Sequence, residues 1–174
     1  VNTKELDRLT AHFLPPEFAS LNNATQILQT PRLANPAFSA WVSQNVIAHK
    51  HPDYAAVPLS PKVAGIPPGD VTDEQMDLVA DWADQYSFGE IRISHEQNFI
   101  LPHVPRDCLF DLWSAAGTAG LSTANSGQLT DMICCPGGDY CSLANAKSIP
   151  VAEAIQRRFD DEDYLADLGD LDIN

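Results

Sequence analysis

At 174 residues, 44% hydrophobic and 20% charged, the chain has the make-up of a folded globular protein with one substantial core or two small ones. Its formal charge of −14, from 24 acidic and 10 basic residues, opposes encounter with nucleic acid or anionic lipid, and no run reaches the roughly 18 to 20 apolar residues of a membrane span. The same charge suits an anionic substrate poorly, so the cations that hold one are expected from outside this chain.

The start, Val1-Asn2-Thr3-Lys4, lacks the basic and apolar segments of a signal peptide, which predicts a cytoplasmic protein, and the missing methionine points to sequence upstream. Residues 1–52 read as a helical lead segment. Leu6, Leu9 and Phe13 form an apolar stripe that Pro15-Pro16 ends. Asn35-Pro36 then supplies an N-cap with proline in the first turn. Phe38, Trp41, Val42, Asn45 and Val46 recur at spacings of three and four, one face of a helix packed on a core.

Residues 53–124 form the next unit. Ala55-Ala-Val-Pro-Leu-Ser-Pro61 is β-like but broken by prolines, which predicts an edge or irregular strand, and Gly65-Ile-Pro-Pro-Gly69 is a turn. Thr72 and Gln75 make a capping box, Asp70, Asp73 and Glu74 put negative charge at the helix start, and Met76, Val79, Ala80 and Ala83 make the predicted buried stripe. Glu90 to His95 alternates apolar with polar, and Phe99 to Val104 is apolar: two short strands joined by the polar tip Glu96-Gln97-Asn98. Pro105 opens a helix with Leu109, Leu112, Trp113 and Ala116 inward, ending at Gly117 or Gly120, and Leu121 to Ala124 is a candidate closing strand. Strand, helix, strand, strand, helix is most of a split βαβ unit, an α+β ferredoxin-like sandwich.

Residues 125–174 differ in composition: small residues, a cysteine segment, a helix from about Ser142 to Phe159 and the acidic tail Asp160 to Asp163. Four cysteines, at 108, 134, 135 and 141, are too few for a disulfide scaffold, so reduced thiols or metal ligands are expected. Cys135-Pro-Gly-Gly-Asp-Tyr-Cys141 sets two thiols at the ends of a pliable loop that can turn both toward one point. At a strand-to-helix junction the helix dipole would also favour the thiolate, the form that ligates metal. Two thiolates are half of a four-ligand set. Cys134 points the other way in a strand, and Cys108 sits in a core helix. On spacing alone, a metal site and buried or incidental cysteines both stand.

The longer string Asp131-Met-Ile-Cys-Cys-Pro-Gly-Gly-Asp-Tyr-Cys-Ser-Leu-Ala144 resembles the first cluster motif of the siroheme-dependent sulfite and nitrite reductases. Arg92-Ile-Ser-His-Glu-Gln-Asn98 is similar to that family's cofactor-facing hairpin, and Tyr54 to Val104, with Pro67-Pro-Gly-Asp70, to its ferredoxin-like half-domain. The resemblance implies a chain of two such halves with siroheme between them, coupled to a [4Fe-4S] cluster through a bridging cysteine. It implies six-electron reduction of sulfite to sulfide or nitrite to ammonia, fed by ferredoxin or a flavoprotein subunit.

The resemblance further implies that 125–174 is the start of the cluster domain, with a second cysteine pair beyond residue 174. Cys135 and Cys141 match the first ligand pair. Arg92 becomes a partner for a siroheme carboxylate, its guanidinium free on the face of Ser94, with Ser94, Gln97 and Asn98 as further polar contacts. No catalytic residue is expected in this chain, and no cofactor is expected to stay bound by it alone. The histidines at 49, 51, 95 and 103 read as surface or core residues. Two alternatives remain: a cofactor-free module docking a basic partner through the acidic tail, or a zinc site at Cys134, Cys135 and Cys141 with an outside fourth ligand.

Overall fold

The computed structural model describes residues 2–21, 24–159 and 167–168; the acidic run Asp160 to Asp163 and the segment Leu171 to Asn174 lie outside the described residues. Strands β1 (Ile47–Ala48), β2 (Tyr54–Leu59), β3 (Arg92–Ile93) and β4 (Phe99–Pro105) form an antiparallel sheet in the order β1-β2-β4-β3. Because β4 runs antiparallel to both β2 and β3, those two are parallel and the helix between them is their crossover, the split βαβ arrangement the element order predicts.

Strand β2 is interior, not the edge its prolines imply. The two facts agree locally: β1 reaches only as far as Ala56, so Pro58 lies beyond it, where β2 is open on one side and a missing N–H costs no ladder bond there. Val57 and Leu59 of β2, with Leu101 and Val104 of β4, face α3 (Pro36–Asn45), α4 (Asp73–Tyr86) and α5 (Leu109–Thr118) in a single core containing Phe38, Trp41, Val79, Trp82 and Leu112. Alternation then puts Ala56, Ile100 and Pro102 on the opposite face, which no helix covers among the described residues. The core crosses the expected boundary at residue 52, since α3 supplies its two largest fully buried side chains, Trp41 and Phe38. Asn45 fastens α3 further by donating to the Thr123 carbonyl at 2.8 Å.

Helix α1 (Thr3–Thr10) and the tight turn after it carry the first predicted stripe, but Leu6 and Phe13 are 56% and 80% exposed. Helix α2 (Ala24–Ala34) is a helix the sequence reading did not resolve; it runs through Pro31. Asn35 caps α3 through its side chain, accepting from the Phe38 N–H at 3.1 Å.

The capping box forms as read, Thr72 accepting from Gln75 N and Gln75 from Thr72 N. The buried face of α4 is Val79, Trp82 and Ala83, whereas Met76 and Ala80 are exposed. The first turn is held by Gln75, which donates to the Ala119 carbonyl at 2.8 Å, so Met76 has no core to enter. Thr72→Ala removes a cap that serves the crossover helix and should lower stability by about 1 kcal/mol in urea denaturation; Thr72→Ser should restore it.

Helix α5 ends at Gly120, whose φ of +71° lets the Leu121 N–H turn back to the Ala116 carbonyl at 2.9 Å. The expected closing strand reduces to a single bridge, Ser60 to Ser122. The last helix starts later than read: α6 spans Ile149–Arg158, with Pro150 in its first turn. Residues 142–147 turn instead, held where Gly138 N donates to the Ala146 carbonyl at 2.8 Å. No helix among the described residues is long and apolar enough to cross a membrane.

Candidate functional site

The hairpin between β3 and β4 closes where Ser94 N donates to the Asn98 carbonyl at 2.9 Å and Gln97 N to the Ser94 carbonyl at 3.1 Å, with Gln97 itself at a φ of +61°. That unusual backbone aims the Gln97 side chain across Gly69, where an added Cβ would lie 3.1 Å from Gln97 Cβ. Gln97 reaches Cys134: its Oε1 accepts from the Cys134 N–H at 3.2 Å, and its Nε2 donates to the Cys134 carbonyl at 3.4 Å. The hairpin tip thus clasps the strand of chain that leads into Cys135.

Beneath this clasp lies a buried ion pair that the sequence reading missed. Lys62 Nζ stands 2.5 Å from Asp131 Oδ1, with side chains 0% and 2% exposed. Lys62 also donates to Asn98 Oδ1 at 3.0 Å and to the Glu96 carbonyl. Asp131 accepts from Asn98 Nδ2 at 2.9 Å and, through its other oxygen, from the Gly127 N–H at 2.9 Å. Burial lowers the Lys62 pKa, and the Asp131 carboxylate opposes the shift. The available signal was a lone lysine closing the apolar run of β2, but its partner lies 69 positions away and no local pattern links them.

Cys135 and Cys141 are both exposed free thiols. Gly137, at a φ of +59°, turns the loop so that Cys141 N donates to the Gly137 carbonyl at 2.8 Å. The helix-dipole argument for these thiols does not hold, because α6 begins at Ile149 and no strand precedes Cys135. Cys134 is buried against Met132 and Ala152, and burial raises its pKa. Cys108 packs against the main core, and burial with Asp107 beside it pushes its pKa up to about 11. Among the described residues, no group of three or more histidine, cysteine or acidic side chains is placed to hold a metal ion.

On the open face of the sheet, Arg92 pairs in register with Ile100 and lines a groove of about 440 Å³ with His49, Lys50, Ala56, Ile100 and His103. A bulge shapes the groove. Between the pairs Ala55–Val104 and Val57–Leu101, β4 carries Pro102 and His103 against the single residue Ala56. The displaced His103 N–H donates to Ser87 Oγ at 3.1 Å, while its ring meets His49 at 3.1 Å and Glu90 at 3.2 Å. Phe18 packs edge-on to both rings.

Arg92 is not free as expected: its guanidinium contacts Glu90 at 2.7 Å, though the two side chains are 58% and 41% exposed. Ser94 accepts from the Asn98 N–H at 3.3 Å and Asn98 is held by Lys62 and Asp131, so both are engaged within the hairpin. Of the four hairpin residues singled out, Arg92 alone lines the groove.

Residues 63–118 match the family described as the nitrite/sulfite reductase ferredoxin-like half domain. Over this stretch the chain is similar to such a half domain. Three curated relatives are similar to it. A ferredoxin–nitrite reductase of Synechococcus elongatus is 29% identical over 99 residues, 55% of this chain and 19% of its own length. The chloroplastic ferredoxin–nitrite reductase of Betula pendula is 32% identical over 101 residues, 53% of this chain and 17% of the relative. That of Zea mays is 30% identical over 99 residues, again 53% and 17%. The matches therefore span under a fifth of these reductases. Within the matched stretch lie Arg92, Ser94, Gln97 and Asn98, whereas Cys135 and Cys141 fall beyond its last residue, Thr118.

Proposed function

We propose that this chain supplies one wall of a siroheme pocket and half of the ligands of a [4Fe-4S] cluster in an oxidoreductase that reduces nitrite to ammonia, with ferredoxin as donor. The observation that carries this reading is the clasp of Gln97 on Cys134, which ties the cysteine loop to the matched half-domain segment through the hairpin that follows Arg92. Nitrite and ferredoxin are preferred over sulfite and a flavoprotein subunit because all three relatives are named ferredoxin–nitrite reductases.

The residues present fit such groups. An apolar floor of Ala56, Ile100 and Pro102 with Arg92 and Lys50 beside it suits a flat macrocycle with carboxylate arms. Two exposed thiols are soft donors of the kind an iron–sulfur cluster takes, and they are half the usual number. Siroheme and cluster, when bound, supply the electron transfer. The chain's own part is to hold Arg92 and Lys50 at the rim and two thiols on a braced loop, while the remaining thiolates and substrate-binding cations come from elsewhere.

Iron and sulfide added anaerobically to this chain should leave no stable cluster absorbance after desalting. In a protein extended to include two further cysteines of the family's second pair, a cluster should form, and Cys135→Ser with Cys141→Ser should abolish it. Cluster absorbance and iron content undiminished in that double variant would refute the ligand assignment. An Arg92→Glu protein that still takes up siroheme in full would refute the wall assignment and favour the interaction-module reading.

A further inference from the structure

The hydrogen bonds in the groove have a direction. The His51 N–H lies 2.8 Å from His49 Nδ1, which must accept, so the neutral His49 ring carries its hydrogen on Nε2. That Nε2–H points at His103 Nδ1, 3.1 Å away, which must also accept, and His103 in turn carries its hydrogen on Nε2, 3.2 Å from Glu90 Oε2. The chain ends on Glu90 Oε1, which takes the Arg92 Nε–H at 2.7 Å. With the ring hydrogens so placed, Glu90 is shared between the Arg92 cation on one oxygen and the His103 ring on the other.

We infer that Glu90 is a displaceable internal counter-ion: a carboxylate-bearing ligand takes Arg92 from it, Glu90 passes to His103, and His103 takes up a proton. This rests on the reading of Arg92 as a carboxylate-binding cation. When the ligand's carboxylate replaces Glu90 at the guanidinium, the Glu90 charge is left with His103 as its only neighbouring partner. A carboxylate deprived of its cation favours the charged form of an adjacent imidazole. The new proton must sit on His103 Nδ1, facing the Nε2–H of His49, so that contact breaks and His49 turns toward the groove.

The titratable and charged groups facing this chain are His51, Lys50 and Arg106 around His49, and Glu90 and Arg92 around His103. Burial lowers the His49 pKa, with the charges of His103, His51 and Arg106 adding to the shift and the His51 backbone contact opposing it. Burial alone would raise the Glu90 pKa, but Arg92 and His103 together hold it below the usual value, so Glu90 is a carboxylate throughout.

Uroporphyrin III, a metal-free octacarboxylate macrocycle, is the probe, titrated by fluorescence into this chain. Binding should tighten about fivefold or more between pH 8 and pH 6, and calorimetry in two buffers of different ionisation enthalpy should show proton uptake on binding. Glu90→Gln should bind more tightly than the unaltered chain at pH 8 and lose most of the pH dependence and the proton uptake. His103→Gln should lose the proton uptake while still binding. Arg92→Gln should bind at least about tenfold more weakly. If Glu90→Gln matches the unaltered chain in affinity and pH slope while Arg92→Gln still weakens binding, the counter-ion inference is wrong and the Arg92 reading survives. If Arg92→Gln has no effect, the Arg92 reading fails and this inference with it; if the unaltered chain does not bind, the counter-ion inference fails, while the wall reading stands or falls on siroheme uptake by the Arg92→Glu protein. Melting curves for each variant check the fold, above all for His103→Gln, since His103 is buried whereas Glu90 and Arg92 are largely exposed.

Discussion

Asp131→Ala should destabilise the fold by about 3–5 kcal/mol, because it leaves the Lys62 ammonium buried with only neutral partners. The loss should depend on pH with a definite sign. Lys62 already has a folded pKa below its unfolded value, and removing the carboxylate that opposes this lowers it further. Between the folded and unfolded values the unfolded chain binds more protons, so the variant gains stability as pH rises toward the ordinary lysine value of about 10.4. Urea denaturation at pH 7 and pH 9.5 should show the gap to the unaltered protein narrowing. A constant gap would mean that Lys62 is not buried as a cation. The double variant Lys62→Met with Asp131→Leu removes both charges and should recover most of the loss, since a buried pair contributes little beyond its apolar replacement.

The parts of the fold that were legible in the sequence are those whose signal is local. The capping box at Thr72 and Gln75, the Asn35 cap and the stripe of Phe38, Trp41 and Val42 depend on neighbours within a turn or two, and each formed where it was read. The β3–β4 hairpin showed in its alternation and polar tip. What was not legible depends on contacts distant in sequence. Nothing near Pro58 reveals that β1 will pair with only Ala55 and Ala56 of β2 and stop short of it. The start of α6 was misplaced because 142–147 has helical composition, while the hydrogen bond from Gly138 to Ala146 turns it away.

The site followed the same division. Cys135, Cys141 and Arg92 were singled out from strings of adjacent residues. The Lys62–Asp131 pair and the His49–His103–Glu90 chain were not, since each is assembled from separate elements by the sheet. Gln97 and Asn98 drew notice as candidate contacts to a macrocycle, and the structure engages both within the protein, one on Cys134 and one between Lys62 and Asp131. A polar hairpin tip reads the same in sequence whether its side chains meet a ligand or the next segment of the chain.

Gln97→Leu tests that engagement. It keeps much of the side chain's bulk and removes both hydrogen bonds to Cys134, so it should cost about 1–3 kcal/mol and expose the Cys134 amide to exchange about tenfold faster or more. Amides in α5, far from the clasp, should slow or quicken only in step with global stability. Gln97→Glu keeps the acceptor for the Cys134 N–H but cannot donate to its carbonyl, and should fall between the two. Gly69→Ala approaches the same place from the other side: a methyl 3.1 Å from Gln97 Cβ, on a backbone at φ +89°, should push the side chain off Cys134 and reproduce the faster exchange. Were Cys134 exchange unchanged in both Gln97→Leu and Gly69→Ala, the cysteine loop would be held by its own turn at Gly137 and by Ser148 on the Cys135 carbonyl, and the half domain would have no direct hold on its thiols.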